Sequence, residues 1–147
     1  MFGTLHPDVA NSYINIGNVY YRQGRYEEAL EEYEKCLKIQ VDKLGHEHPD
    51  VAASYSNIGN VYDSQGRYQE ALDYYQRALK IDQKVHGNDH PDVAISKFNM
   101  AILLGNMDKK AESKQMFREA ADIFRVALGA DHPHTKMAEQ NAVDSND

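Results

Sequence analysis

The segment His6-Pro7-Asp8-Val9-Ala10 returns as His48-Pro49-Asp50-Val51-Ala52 and as His90-Pro91-Asp92-Val93-Ala94, and a decayed copy opens at His132-Pro133-His134. The starts fall at 6, 48, 90 and 132, a period of 42 residues without slippage. Residues 3–44 and 45–86 carry the same amino acid at 25 of 42 positions, which excludes chance resemblance. A fixed period of this length marks stacked supersecondary units, because one such unit cannot bury its own apolar face and must lean on its neighbours. The expected organisation is therefore three units, 6–47, 48–89 and 90–131, followed by a partial unit or capping helix with its tail at 132–147.

Each unit reads as two helices. Pro49 suits a first helical position, and Asp50 lies at the positive end of the helix dipole. Val51, Tyr55, Ile58 and Tyr62 then recur at spacings of four, three and four, an apolar stripe along one helix face. Gln65-Gly66-Arg67 interrupts the run, since glycine is costly within a helix and well suited to a turn. A second stripe follows through Tyr68, Ala71, Leu72, Tyr75, Leu79 and Ile81, and it stops near Gly87 before the His90-Pro91 step. Small residues (Gly17, Gly59, Ala29, Ala71) recur beside large ones (Tyr20, Tyr62, Tyr33, Tyr75), as close helix packing requires. No segment alternates as a strand would. The expected fold is an all-α, α-α superhelix of three 42-residue helix-turn-helix repeats plus a C-terminal helix.

Charge and composition narrow the function. Lys+Arg is 16 against Asp+Glu 23, a net charge of -7, with no basic run to hold nucleic acid or an anionic membrane. A single cysteine, Cys36, excludes an internal disulfide framework and suits a reducing compartment. No stretch approaches the roughly 18 apolar residues of a membrane span, and Met1-Phe2-Gly3 opens no secretory signal. A cytoplasmic location is expected.

Tyr55-Ser-Asn-Ile-Gly59-Asn-Val-Tyr62, Gly66-Arg-Tyr68-Gln-Glu-Ala71-Leu, Tyr75 and Ala78 together resemble the tetratricopeptide repeat, lengthened by the junctions Ile39–Ala52 and Ile81–Ala94. The extended unit is similar to the repeats of kinesin light chains and related adaptors. The third unit departs from the pattern. Lys97 stands in the place of Tyr13 and Tyr55, Leu104 in that of Tyr20 and Tyr62, and Lys110, Ser113 and Lys114 in those of Tyr68, Ala71 and Leu72, so a looser first corner is expected there. Gly3 aligns with Gly45, inside a junction, so the chain reads as a piece of a longer array or as a minimal array with weak caps.

The resemblance implies that first helices line a ligand groove for protein or extended peptide segments. Carried onto this chain, the groove positions are Asn11, Ile14, Asn15, Asn18, Tyr21 and Arg22, then Ser56, Asn57, Asn60 and Asp63, then Ile95, Phe98, Asn99 and Ile102. An amide offers both a donor and an acceptor, matching the main chain of an extended ligand. Family members that clamp a terminal carboxylate use lysine and arginine where Ile14, Ile95 and Asn99 stand here, so a carboxylate clamp is not expected. Arg22 supplies one positive charge and Asp63 opposes it, while Ile14, Ile95, Phe98 and Ile102 suggest apolar anchors or partial burial.

The pairs His46 and His48, His86 and His90, and His132 and His134 could supply metal ligands, with Glu47, Asp89 and Asp131 nearby. However, His48, His90 and His132 recur with the junction and precede proline, which marks a helix start, so no metal and no cofactor are expected. Cys36 aligns with Ala78 and Ala120, a small core position, so it reads as a packed thiol. No phosphate loop or catalytic constellation emerges. A non-catalytic binding scaffold is the expected function, with two rivals: a structural array that self-associates through apolar ends (Val9, Tyr13, Tyr20), or a sensor array belonging to a larger signalling enzyme.

Overall fold

The computed structural model describes residues 7–144, so Gly3, His6 and the final tail lie outside the described residues. Only α-helices occur among the described residues: α1 Pro7–Arg22, α2 Tyr26–Leu44, α3 Pro49–Ser64, α4 Tyr68–His86, α5 Pro91–Asn106, α6 Lys110–Leu128 and α7 Pro133–Asp144. The odd-numbered helices open on Pro7, Pro49, Pro91 and Pro133, so the 42-residue period passes directly into the helices. Two compact units form, residues 1–81 and 82–147, with the boundary inside α4.

Why His-Pro-Asp starts a helix is visible at each junction. The His48 imidazole Nδ1 accepts the amide of Asp50 at 3.0 Å, His90 accepts that of Asp92 at 3.0 Å, and His132 accepts that of His134 at 3.1 Å. Histidine is not a favoured N-cap by side-chain chemistry. Its extended backbone (φ -96°, ψ 144° at His48) nevertheless turns the ring over the first helical turn, and the following proline has no amide to satisfy.

The recurrent Gly-Arg-Tyr corner has an equally local cause. Gly66 turns the chain at φ 76°, and the Arg67 amide donates to the Tyr62 carbonyl at 2.8 Å. The Arg67 guanidinium then lies 4.6 Å from the Tyr62 ring centre and pairs with Glu70 at 2.6 Å, while Arg25 does the same with Tyr20 and Glu28. In the third corner Asp108 occupies the glycine position and keeps the positive φ, 62°. Left-handed backbone is costly for any residue with a Cβ, and the greater freedom of glycine in the unfolded chain offsets part of the gain. Asp108→Gly is expected to raise stability by about 0.5–1 kcal/mol, read from the urea midpoint.

In the first unit Ala29, Leu30 and Tyr33 of α2 pack on Ile58 and Val61 of α3, with Tyr20, Tyr26, Tyr62 and Tyr74 around them. Val51, Ala52, Ala78 and Ile81 continue this core toward the far end of α4. The Cys36 thiol is buried, and desolvation raises its pKa, so it stays protonated as a packing group. A buried polar contact joins α2 to α3, where Ser54 Oγ donates to Gln40 Oε1 at 2.6 Å.

The second unit closes differently from the looser corner expected of its sequence. Lys97 is only 16% exposed at its side chain and reaches Glu119 at 2.8 Å, which holds the Glu119 carboxyl below the usual carboxylate range. Ser113 is buried and donates to the Ala101 carbonyl at 2.7 Å. Ala101, Phe117 and Ala142 form the core, with the Phe98 ring edge-on to Phe117 at 5.2 Å and 77°. Polar replacements at these positions bring their own partners, so burial is kept.

Candidate peptide-binding site

On the first unit, α1 and α3 carry most of the amides. Asn11, Asn15 and Arg22 are exposed, while Ser56, Asn57 and Asp63 are half-buried. Asn11 lines a small cavity of about 120 Å³ with Lys43, Leu44 and Asp50 where α2 hands over to α3. Ile14 is half-buried and packs into the core beside Cys36 and Ile39. The Tyr21 hydroxyl meets the Ser64 hydroxyl at 2.7 Å, tying the end of α1 to the end of α3, and its ring tilts against Tyr26 at 5.7 Å.

Asn18 and Asn60 have internal partners. The Tyr33 hydroxyl donates to Asn18 Oδ1, and the Tyr75 hydroxyl donates to Asn60 Oδ1. Burial pushes both phenols above their ordinary pKa, so they remain neutral donors at any working pH. One acceptor position of each amide oxygen is thereby used inside the fold, while the NH2 groups of the two asparagines remain as donors. The third repeat shows the same pairing by its loss: Ile102 stands where asparagine stood, and Phe117 where tyrosine stood.

On the second unit the predicted residues Ile95 and Phe98 meet in one apolar cavity of about 210 Å³, completed by Phe124 of α6 and by His134 and Met137 of α7. Ile95 is 43% exposed and Met137 51%, so the cavity opens to solvent between α5 and α7. Asn99 is half-buried and Ile102 exposed. Phe124, His134 and Met137 were not among the positions read from the sequence. Met137 was within reach, because it lies 42 residues beyond Ile95 in the same repeat register.

A family profile described as tetratricopeptide repeat matches residues 8–84 and 64–125. No curated protein sequence matches the chain. Among solved structures the chain is similar to BtubC (BKLC) from P. vanneervenii, with 26% identity and a TM-score of 0.82 over 93% of this chain and 55% of that one. It also resembles a putative kinesin light chain with nearly identical TPR-like repeats from Podospora anserina, at 24% identity and TM-score 0.80, covering 93% of this chain and 65% of that one. A more distant likeness is the N-terminal domain of stress-induced protein-1 (STI-1) from C. elegans, at 18% identity and TM-score 0.66, over 92% and 95% of the two chains. The chain thus spans between about half and two thirds of the length of the first two. With its repeats matched from residue 8 to residue 125 and its all-α fold shared with these structures, the chain belongs to the tetratricopeptide repeat family of protein-interaction scaffolds.

Proposed function

We propose that the chain is a non-catalytic adaptor, of the kind kinesin light chain repeats suggest, that holds an extended protein segment on its first helices. The observation that carries this reading is the open apolar cavity of Ile95, Phe98, Phe124, His134 and Met137. A pocket of that size takes one aliphatic or aromatic side chain, and such anchors carry most of the affinity in peptide recognition. The exposed Asn15 and the outward NH2 groups of Asn18 and Asn60 act on the first unit as donors to ligand carbonyls. A single protonated cysteine fits work in the reducing cytoplasm.

Peptide display against the chain tests this directly. Enriched peptides are expected to share an apolar residue, and Ile95→Glu with Met137→Glu is expected to weaken them by about tenfold or more. Both side chains are half in solvent, so circular dichroism of the variant should match the wild type. Peptides that bind the variant equally well would overturn the reading.

One observation favours a second reading, self-association through α1. Ile16 and Val19 are each 44% exposed, although the residues one repeat later, Ile58 and Val61, are fully buried against α2. The same surface that the fold buries internally is bare on α1.

A further inference from the structure

At the junction of α4 and α5 the chain breaks its own repeat in a chemically specific way. The residue before the junction glycine is Leu44 in the first copy and Leu128 in the third, but His86 in the second. Four residues earlier, Gln40 and Phe124 flank Asp82 in the same register. Only at this junction does an imidazole precede the glycine beside the recurrent cap histidine, His90, and the recurrent Asp92; at the first junction the second imidazole, His46, follows the glycine instead.

The added ring is placed against them. His86 stacks on His90 with ring centres 4.0 Å apart and planes at 16°. Its Nε2 is buried and has no hydrogen-bond partner, 3.5 Å from Asp92 Oδ2. His90 Nδ1 lies 3.8 Å from the same carboxylate oxygen, and one donor atom from each of the three residues falls within 4.8 Å of the others. Asp82, buried and accepting from Ser96 at 3.0 Å, adds a second carboxyl group beside the two imidazoles. A buried ring nitrogen with a free position, facing carboxylates, is a cation site by its chemistry.

We propose that His86, His90 and Asp92 bind a divalent transition-metal ion such as Zn2+. Ligand atoms at about 2.0–2.1 Å around a tetrahedral ion lie about 3.4 Å from one another, close to the 3.5 and 3.8 Å already present. Two imidazoles and a carboxylate suit Zn2+, Cu2+ or Ni2+, whereas Ca2+ and Mg2+ take oxygen ligands. Parallel rings cannot both aim a lone pair at one ion, so one ring must turn out of the stack. The ion also takes the His90 Nδ1 lone pair away from the Asp92 amide. Binding thus competes with the cap of α5, which weakens it relative to a preformed site, with water as the fourth ligand.

The test is Zn2+ titration of the untagged full chain by calorimetry, with Co2+ absorption to report tetrahedral ligation. His86→Leu restores the residue of the other two junctions and is expected to fold as the wild type does. One ion per chain is expected, weakened at least about tenfold in His86→Leu and in Asp92→Asn. In the wild-type chain the Asp92 amide resonance should shift as Zn2+ is added, because its hydrogen bond to His90 is lost. The proposal fails if Zn2+ raised to about 1 mM leaves the chain unbound. It fails equally if His86→Leu binds as the wild type does, which would place the ion on other histidines such as His132 and His134.

Discussion

Gly59→Ala is expected to lower stability by about 2–3 kcal/mol, while Gly105→Ala in the next first helix is expected to raise it by about 0.5–1 kcal/mol. Both glycines are helical, Gly59 well inside α3 and Gly105 in the last turn of α5, and alanine is intrinsically the better helix residue. What separates them is the space beside each. A Cβ on Gly59 would lie 2.7 and 2.8 Å from the Tyr75 ring, and one on Gly105 would meet only Ser113 Oγ at 3.5 Å. Tyr75 has nowhere to retreat, since it is buried and its hydroxyl is held by Asn60. Moving the ring strains the core and loosens that hydrogen bond together. For a chain of this length the midpoint of thermal unfolding should fall by about 5–10 °C for Gly59→Ala. The third repeat already shows the compatible alternative, with Ala101 in place of glycine, Phe117 in place of tyrosine and Ile102 in place of asparagine. Installing all three at positions 59, 75 and 60 should therefore restore most of the loss. A Gly59→Ala chain as stable as the wild type would mean that Tyr75 does not seal against that helix.

The contrast between these glycines also shows what the sequence could and could not disclose. Helix starts were legible because His-Pro-Asp carries its own local physics: a ring to cap, a proline without an amide and an acid at the dipole. The pairing of small and large residues was legible because Gly17 and Gly59 recur with Tyr33 and Tyr75. The use of the asparagines was not. A side-chain amide looks the same whether its oxygen meets a ligand or a tyrosine fifteen residues on in another helix, as at Asn18 and Asn60. The joint replacement by Ile102 and Phe117 was the one clue, visible only when three copies are read together. The apolar cavity was half legible: Ile95 and Phe98 came from the register of the first helices, but Phe124 belongs to a second helix and Met137 to the decayed copy. The pair His86 and His90 was legible as possible metal ligands, but the recurrence of the cap histidine argued against a site and hid the fact that His86 itself does not recur.

Ile58→Ala should cost about 3 kcal/mol, and Ile16→Ala, the same change one repeat earlier, no more than about 0.5 kcal/mol. Periodicity alone treats these two residues as identical. Ile58 is fully buried against Ala29, Leu30 and Tyr33 of α2, so removing three carbons leaves a cavity in a close-packed interface. Ile16 faces solvent over nearly half its surface and leaves no void. Urea unfolding of both variants at several chain concentrations measures the difference and also decides the second functional reading. If α1 is bare in solution, Ile16→Ala stays near neutral at every concentration and the scattering mass remains that of one chain. If copies associate through this face, Ile16→Ala takes on a cost that grows with concentration toward that of Ile58→Ala, and Ile16→Ser with Val19→Ser lowers the scattering mass. A large cost for Ile16 at micromolar concentration would move the function from peptide adaptor to self-assembling array, because the buried partner of α1 would then be another copy of the chain.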